Sequence, residues 1–569
     1  MHQKSVSEKS AEEEFFFSFP EGYQAGKAKF VIIVGSVMSG VGKGTFSSCL
    51  GTLLSCHGFN VSPLKFDGYL NCDAGTLNPY RHGEVFVLDD GTECDLDLGS
   101  YERYLNRNLC KDNYITSGKI FKTIIDKERN GEYLGRDVQF IPHVTGEIKR
   151  FLRNLAMKSN ADVVLVEVGG TIGDLENSYF IEAMRELRYE EGKDNVCFVN
   201  VTYIIEPRSL GEFKSKPAQL GIRKLMELGI QPDIVVCRSE RPVTKSTMQK
   251  ISVFSGVDSQ RIYNLWDYGN VYEIPLFLRE LKMDDAIFDV LKIRPKEQID
   301  SGLNFSNWKN FVDKMKGPSK EVVIGIIGKY TNVHDSYISI IKALEHAAPY
   351  SGAKVKIKWI ESTDIEDNKI TAKDALDDVN GLIVPGGFGK RGIEGKIAAI
   401  RYARENKIPF LGLCLGMQLA VVEFARNVCL LGNANSTEFD AKTSYPIIDF
   451  IPEQVGLVGQ SKYGGTMRLG SYPAILKEGT LARRIYDAEK IEERHRHRYE
   501  VNPEYIEALE KSGLVFSGKS PSGALMEFIE LKDHPFFIAT QSHPEFKSRP
   551  MNPSPMFHDF VKAVVERTD

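Results

Sequence analysis

A cysteine, a histidine and a glutamate carry the most specific chemistry in this 569-residue chain. Gly412-Leu413-Cys414-Leu415-Gly416-Met417-Gln418 follows the apolar run Ile408-Pro409-Phe410-Leu411. A G-x-C-x-G string behind a strand predicts a nucleophile elbow, whose small residues permit a sharp turn that exposes the side chain. The helix N-terminus that follows lowers the pKa of a thiol held there. A lone cysteine after a strand is also commonly an inert buried thiol. Ser542-His543-Pro544-Glu545-Phe546, behind the apolar run 536–539, supplies an imidazole base and a carboxylate to orient it. Pro385-Gly386-Gly387-Phe388-Gly389, behind Leu382-Ile383-Val384, offers backbone N–H groups to a developing oxyanion.

A second set of residues points at phosphates. Gly35-Ser36-Val37-Met38-Ser39-Gly40-Val41-Gly42-Lys43-Gly44-Thr45 lies between an apolar strand pattern and an apolar helix pattern. Glycines there let backbone N–H groups turn toward an anion, and the helix N-terminus adds positive potential. Lys43 supplies a mobile cation for a β- or γ-phosphate. The string departs from G-x-x-x-x-G-K-[ST]: Val37 stands at the first glycine position and Gly44 at the hydroxyl position, with Thr45 following. A ligand-free glycine-rich turn is the plainer alternative. Without the usual hydroxyl, Mg²⁺ would fall to carboxylates, for which Asp97 and Glu167 are the candidates; Glu167 closes an apolar strand, where open α/β sheets place ligands. Lys214 and Lys216 alternate, so on an extended segment they share a face and suit a polyanion. A solvated basic loop has the same pattern.

These residues stand at the ends of short apolar runs. The runs 29–35 and 322–328 each read as the first strand of an α/β domain, and further runs follow at 163–166, 197–205, 234–237, 382–384 and 408–411. Continuous apolar strands alternating with helical patterns predict parallel sheets covered on both faces. The expected fold class is therefore α/β, with two doubly wound, mainly parallel-sheet domains. Lys316-Gly317-Pro318-Ser319-Lys320 reads as a linker, approached through an amphipathic helix near Trp308. The expected division is a flexible extension over 1–27, a first domain over 28–297, a linker over 298–320 and a second domain over 321–569.

Bulk properties narrow the class. The length exceeds one core. Hydrophobic residues at 42% and charged residues at 26% suit a soluble globular protein. A net charge of −5 gives no nucleic-acid footprint, so anionic ligands would need local basic clusters. Nine scattered cysteines with no C-x-x-C spacing point to reduced thiols in a cytosolic setting. No apolar run is long enough to span a bilayer, and the opening residues lack the basic and apolar regions of a secretory signal. No nucleic-acid or membrane partner is expected.

Longer strings carry a family resemblance. Lys65-Phe66-Asp67-Gly68-Tyr69-Leu70-Asn71, His82-Gly83-Glu84-Val85-Phe86-Val87, Asp95-Leu96-Asp97-Leu98-Gly99, Glu167-Val168-Gly169-Gly170-Thr171-Ile172-Gly173-Asp174 and Phe213-Lys214-Ser215-Lys216-Pro217-Ala218-Gln219 closely resemble the synthetase domain of the CTP synthase family. The resemblance runs from about Phe30 to the C-terminus. It implies ATP-dependent amination of UTP through a 4-phosphorylated intermediate. By this resemblance Ser39, Gly40, Val41, Gly42, Lys43, Gly44, Thr45 and Lys65 hold ATP, Arg238 packs near adenine, and Asp97 and Glu167 ligate Mg²⁺. Lys214, Ser215, Lys216, Gln219 and Lys250, with Ser39, are implied for UTP. Asp174, Leu175 and Glu176 resemble the segment shared by UTP and the feedback inhibitor CTP, and Phe254 an aromatic beside the inhibitor's cytosine. His82 and Val85 resemble an ammonia gate.

The C-terminal motifs are similar to class I glutamine amidotransferases, which implies Cys414, His543 and Glu545 as the triad. Gly386, Gly387, Leu415, Gln418, Glu438 and Arg498 are implied for glutamine, with Gly387 and the backbone of Leu415 as oxyanion donors. The His/Arg alternation over 494–498 reads otherwise as a metal tract, although cysteine or acidic ligands at suitable spacing are missing. Gly464-Gly465-Thr466-Met467-Arg468-Leu469-Gly470 resembles a lid linked to activation by GTP. The family further implies homotetramers that polymerise into filaments. Two other readings stay open: an amidoligase of cobyrinic type on the same architecture, and a nucleotide-gated scaffold with an inactive amidotransferase module. The strings around Lys214 weigh against the first, and the intact Cys414, His543 and Glu545 against the second.

Overall fold

A computed structural model describes residues 19–207, 211–296, 302–317, 319–329, 331, 333–450 and 467–568. Most of the expected N-terminal extension, residue 297, parts of the expected linker (298–301 and 318) and positions 464–466 of the string expected as a lid lie outside the described residues. The chain divides into two compact units, Met1–Asp73 with Ser100–Lys309 and Ala74–Gly99 with Asn310–Asp569. The segment Ala74–Gly99 thus interrupts the first unit in sequence and belongs to the second.

The first unit is built on strands β1 (Lys29–Gly35), β2 (Val61–Asp67), β3 (Tyr114–Thr116), β4 (Val163–Val168), β5 (Val196–Tyr203), β6 (Ile234–Ser239) and β7 (Ile262–Trp266). Their order is β3-β2-β4-β1-β5-β6-β7, and every pairing is parallel. Apolar residues on both faces explain this arrangement. Phe30, Ile32 and Val34 join a core with Leu152, Phe180 and Met184 of the helices Thr145–Lys158 and Ser178–Glu191. On the opposite face lies α1 (Lys43–Cys56), where a Cβ at Gly51 would come within 3.2 Å of Leu165. The chain runs outward from β1 to β2 and β3, returns to β4, and crosses to β5. The C-terminal end of β1 is therefore a topological switch point, where such sheets bind ligands.

The second unit carries β8 (Lys320–Gly328), β9 (Ala353–Glu361), β10 (Gly381–Val384), β11 (Phe410–Leu413), β12 (Arg468–Leu476), β13 (Lys490–His497), β14 (Leu514–Lys519), β15 (Met526–Leu531) and β16 (Phe537–Thr540). The order is β9-β8-β10-β11-β16-β15-β14-β12-β13. The pairings from β9 to β16 are parallel and those beyond are antiparallel, so this sheet is mixed. Its core packs on both faces. Leu382, Val384 and Phe410 meet Ile397 and Val421 on one side, while Ile324, Ile383 and Leu411 meet Leu344 and Phe560 on the other. Both units are α/β.

Candidate active site

In the first unit the glycine-rich string expected to bind phosphates leaves β1 and enters α1. Gly42 caps the helix at φ 89°, Gly40 has φ 71°, and Val37 also takes a positive φ of 78°. Left-handed backbone of this kind turns successive N–H groups inward as an anion nest. Ser39, Gly40 and Thr45 are exposed, Val41, Lys43 and Gly44 buried. Lys43 Nζ donates to the carbonyl of Gly170 at 2.6 Å. Arg238, at the end of β6, lies close behind the turn: a Cβ at Gly42 would stand 3.4 Å from its Nε. That Nε is buried without a hydrogen-bond partner, while Nη2 pairs with Asp267 at 2.8 Å.

Lys65 on β2 and Glu167 on β4 are register partners, and Lys65 Nζ reaches Glu167 Oε1 at 3.1 Å. The Tyr101 hydroxyl donates to the other carboxylate oxygen. Asp97 stands in the first turn of the helix Leu96–Leu105, where its N–H donates to Asp95 at 3.0 Å. Among the described residues no group of three His, Cys, Asp or Glu is arranged to hold a metal. The buried Glu167 carboxylate beside the glycine-rich turn fits Mg²⁺ that also takes phosphate oxygens and water, rather than an all-protein cage.

The basic residues expected at the pyrimidine nucleotide are grouped in part. Gln219 on α2 (Lys216–Glu227) and Lys250 and Phe254 on α3 (Lys245–Ser255) line one depression. Lys216 lies over the Phe254 ring at 5.9 Å and Arg223 at 4.7 Å. Gln219 Nε2 donates to Ser215 Oγ at 3.1 Å. Lys214 is turned aside to pair with Glu212. Asp174 accepts from the N–H of Thr171 at 2.7 Å, and Leu175 and Glu176 are exposed.

In the second unit Cys414 links β11 to α4 (Leu415–Asn427) with φ 50° and ψ −102°, the strained elbow that the spacing predicts. The glycines make this turn possible. A Cβ at Gly416 would lie 2.1 Å from the carbonyl oxygen of Val384, and one at Gly412 would lie 2.8 Å from Ala539. After β16 the chain carries His543 into the 3₁₀ turn Pro544–Lys547, and His543 Nδ1 meets Glu545 Oε1 at 2.7 Å. A Cβ at Gly386 would lie 3.6 Å from both the Cys414 Cβ and the His543 Nε2, so the two reactive side chains meet at the glycine loop. Burial disfavours the imidazolium, but Glu545 and Cys414 outweigh it and lift the His543 pKa to about 10.

These residues line a cavity of about 290 Å³ with Gly386, Gly387, Phe388, Lys329, Lys396 and Val85. Glu438 accepts from the Gly389 N–H at 2.7 Å, and burial raises its pKa despite that bond and nearby Lys329. Arg498 is half-buried between β13 and the strand Tyr499–Val501. Gln418 is buried and holds Gln541 at 3.2 Å, and Gln541 Nε2 donates to Cys414 Sγ at 3.6 Å. His82 is exposed in the helix Pro79–His82.

Sequence reasoning missed Gln541, Lys396 and the roof of the cavity. That roof is the segment Ala74–Gly99, held by Arg494 to Asp89 at 2.5 Å and to the Val87 carbonyl at 3.0 Å, and by Arg496 to Glu93 at 2.8 Å. The alternating His/Arg string is thus a docking edge on its arginine side. Its histidines bond to each other at 3.0 Å, and burial, then Arg468, holds both well below the usual imidazole range.

Residues 29–293 match the family described as CTP synthase N-terminus, and residues 332–563 match glutamine amidotransferase class-I. The chain is 52% identical over 540 residues to the CTP synthase of Thermococcus gammatolerans, covering 95% of this chain and 99% of that one. It is 50% identical over 546 residues to the CTP synthase of Methanococcus maripaludis, covering 95% and 100%. Among solved structures, the glutaminase domain of Trypanosoma brucei CTPS with bound acivicin is 37% identical, covers 43% of this chain and 94% of that one, and has a TM-score of 0.40. No helix among the described residues is long and apolar enough to cross a membrane. Two domain matches in order, and near-half identity along almost the whole chain, place it in the CTP synthase family of glutamine-hydrolysing ligases.

Proposed function

We propose that this chain makes CTP from UTP, ATP and glutamine, with Cys414, His543 and Glu545 releasing the ammonia. The observation that supports this most directly is the His543–Glu545 contact of 2.7 Å beside a cysteine on a positive-φ elbow. The Cys414 thiolate attacks the glutamine carboxamide carbon, and the N–H groups of Gly387 and Leu415 take the oxyanion. Imidazolium His543 gives its proton to the departing nitrogen, which leaves as ammonia. Neutral His543 then takes a proton from the water that opens the thioester, and the resting ion pair returns. Gly386, Gln418, Glu438 and Arg498 are assigned to positioning glutamine, and His82 and Val85 to the ammonia gate.

At the synthetase end the uracil C4 oxygen is a poor leaving group until it is phosphorylated. Residues 39–45, with Lys43 and Lys65, would hold the ATP phosphates, Arg238 would pack at adenine, and Lys214, Ser215, Lys216, Gln219 and Lys250 would hold UTP. Asp174, Leu175, Glu176 and Phe254 would serve UTP or inhibitory CTP. Mg²⁺, carried by Asp97 and Glu167, would neutralise charge on the transferred phosphoryl. Regulation by GTP, assembly into homotetramers and filaments and a cytoplasmic location belong to the same proposal and rest on the family resemblance alone.

The test is a turnover assay with UTP, ATP-Mg²⁺ and glutamine, watching for CTP. Cys414→Ala should abolish glutamine-driven synthesis and spare synthesis from ammonium salts. Equal loss of both would remove the division of labour, and amination of another acceptor without CTP would replace the substrate.

A further inference from the structure

Lys396 belongs to the helix Ile393–Glu405 and is 2% exposed. It lines the same cavity as Cys414, His543 and the glycine loop. A Cβ at Gly387 would stand 3.9 Å from its Nζ. Among the described residues its ammonium has neither a hydrogen bond nor an ion pair. Its neighbour Lys329, in contrast, donates to the Phe388 carbonyl. A buried charge without a partner is costly, and such groups ordinarily pair or neutralise. This one faces the loop assigned to the oxyanion.

We propose that Lys396 is an electrostatic positioning residue for glutamine hydrolysis, its ammonium held behind Gly387 so that it stabilises the negative charge developing on the carboxamide oxygen. The proposal rests on the reading of Cys414 as the glutaminase nucleophile. A neutral carboxamide has little use for a cation, whereas the tetrahedral oxyanion does, so the effect belongs to the transition state and to kcat. Burial of Lys396 at 2% exposure strengthens the interaction relative to the surface. The charged groups that act on Lys396 are Lys329 and Glu361, and Glu438 in turn faces Lys329. Burial first, then Lys329, lowers the Lys396 pKa to about 8 against the pull of Glu361. The charge is therefore present at neutral pH and lost as pH rises through that value.

The experiment measures glutamate release with ATP, UTP, Mg²⁺ and GTP held constant, from about pH 6.5 to 9.5, for the parent chain, Lys396→Met and Lys396→Arg. The parent should lose rate through about pH 8. Lys396→Met should lower kcat on the order of ten- to a hundredfold with KM within about twofold, and its profile should be flat across that window. Lys396→Arg should keep most of the rate and move the alkaline limb upward. A methionine variant with the parent's kcat, with the parent's alkaline limb, or with a raised KM alone overturns the proposal. Ammonium-driven CTP synthesis reports folding; if Lys396→Met loses that too, an unshifted limb in Lys396→Arg is the overturning result. Glutamate release by Cys414→Ala would instead defeat the underlying assignment of the nucleophile.

Discussion

His543 Nδ1 stands 2.7 Å from Oε1 of Glu545, only two residues further along the chain, with both side chains buried. Pro544 and the 3₁₀ turn it opens make this short-range contact possible, because they fold the carboxylate back beneath the ring. The contact orients the ring: Nδ1 is committed to Glu545, and Nε2 has no hydrogen-bond partner among the described residues.

Glu545→Gln should lower glutamine-dependent turnover by on the order of a hundredfold or more, with ammonium-dependent turnover unchanged. The same pair predicts a pH dependence of stability. The His543 pKa is raised from 6.5 to about 10 in the fold. Its stabilising contribution is therefore fully present below the unfolded value and lost as pH rises through about 10. Denaturation midpoints between neutral pH and about pH 10.5 should fall for the parent and stay flatter for Glu545→Gln.

Gly416→Ala should damage the elbow more than its size suggests. Its Cβ would meet the Val384 carbonyl at 2.1 Å, and backbone cannot swing aside as a flexible side chain would. Glutaminase activity should be lost and the second unit destabilised by about 1–3 kcal/mol, read by calorimetry. Ammonium-driven synthesis by the folded fraction should persist.

Gln541→Leu tests a residue that no motif marks. The amide donates to Cys414 Sγ at 3.6 Å and accepts from Gln418. Without that amide the attacking sulfur loses a hydrogen-bond donor. Alkylation of Cys414 by iodoacetamide at neutral pH, followed by mass spectrometry, should slow by about three- to tenfold. An unchanged rate would mean that the bond only packs the cavity floor.

Much of the chemistry was legible because it sits in contiguous strings at strand ends. The elbow at Cys414 and the glycine turn before Lys43 announce their backbone geometry through glycine spacing, and apolar runs revealed an α/β fold. Features made by distant pairing were not legible. Ala74–Gly99 joins the second unit through Arg494 and Arg496, with no break in composition to mark it. Lys396 looks like one more surface cation on an amphipathic helix until its burial is known. Lys214 and Lys216 alternate as expected, yet Lys214 is drawn to Glu212 while Lys216 faces Phe254. The antiparallel half of the second sheet depends on strand pairing that periodicity does not encode.

Lys65 and Glu167 yield a prediction that separates structure from catalysis. They are cross-strand partners at 3.1 Å with side chains almost fully buried. Removing Lys65 takes a cation from the buried Glu167 carboxylate, which keeps the Tyr101 hydroxyl. Lys65→Met should therefore destabilise the first unit by about 3–5 kcal/mol and lower its melting temperature by about 10 °C. Adding Glu167→Gln to Lys65→Met should recover more than half of that loss, because two neutral side chains need no counter-charge in the interior. Synthesis of CTP should stay absent in both, since Lys65 is assigned to the ATP phosphates and Glu167 to the metal. A double variant no more stable than Lys65→Met would show that Lys65 is held for packing around its stem and not as the counter-ion of Glu167.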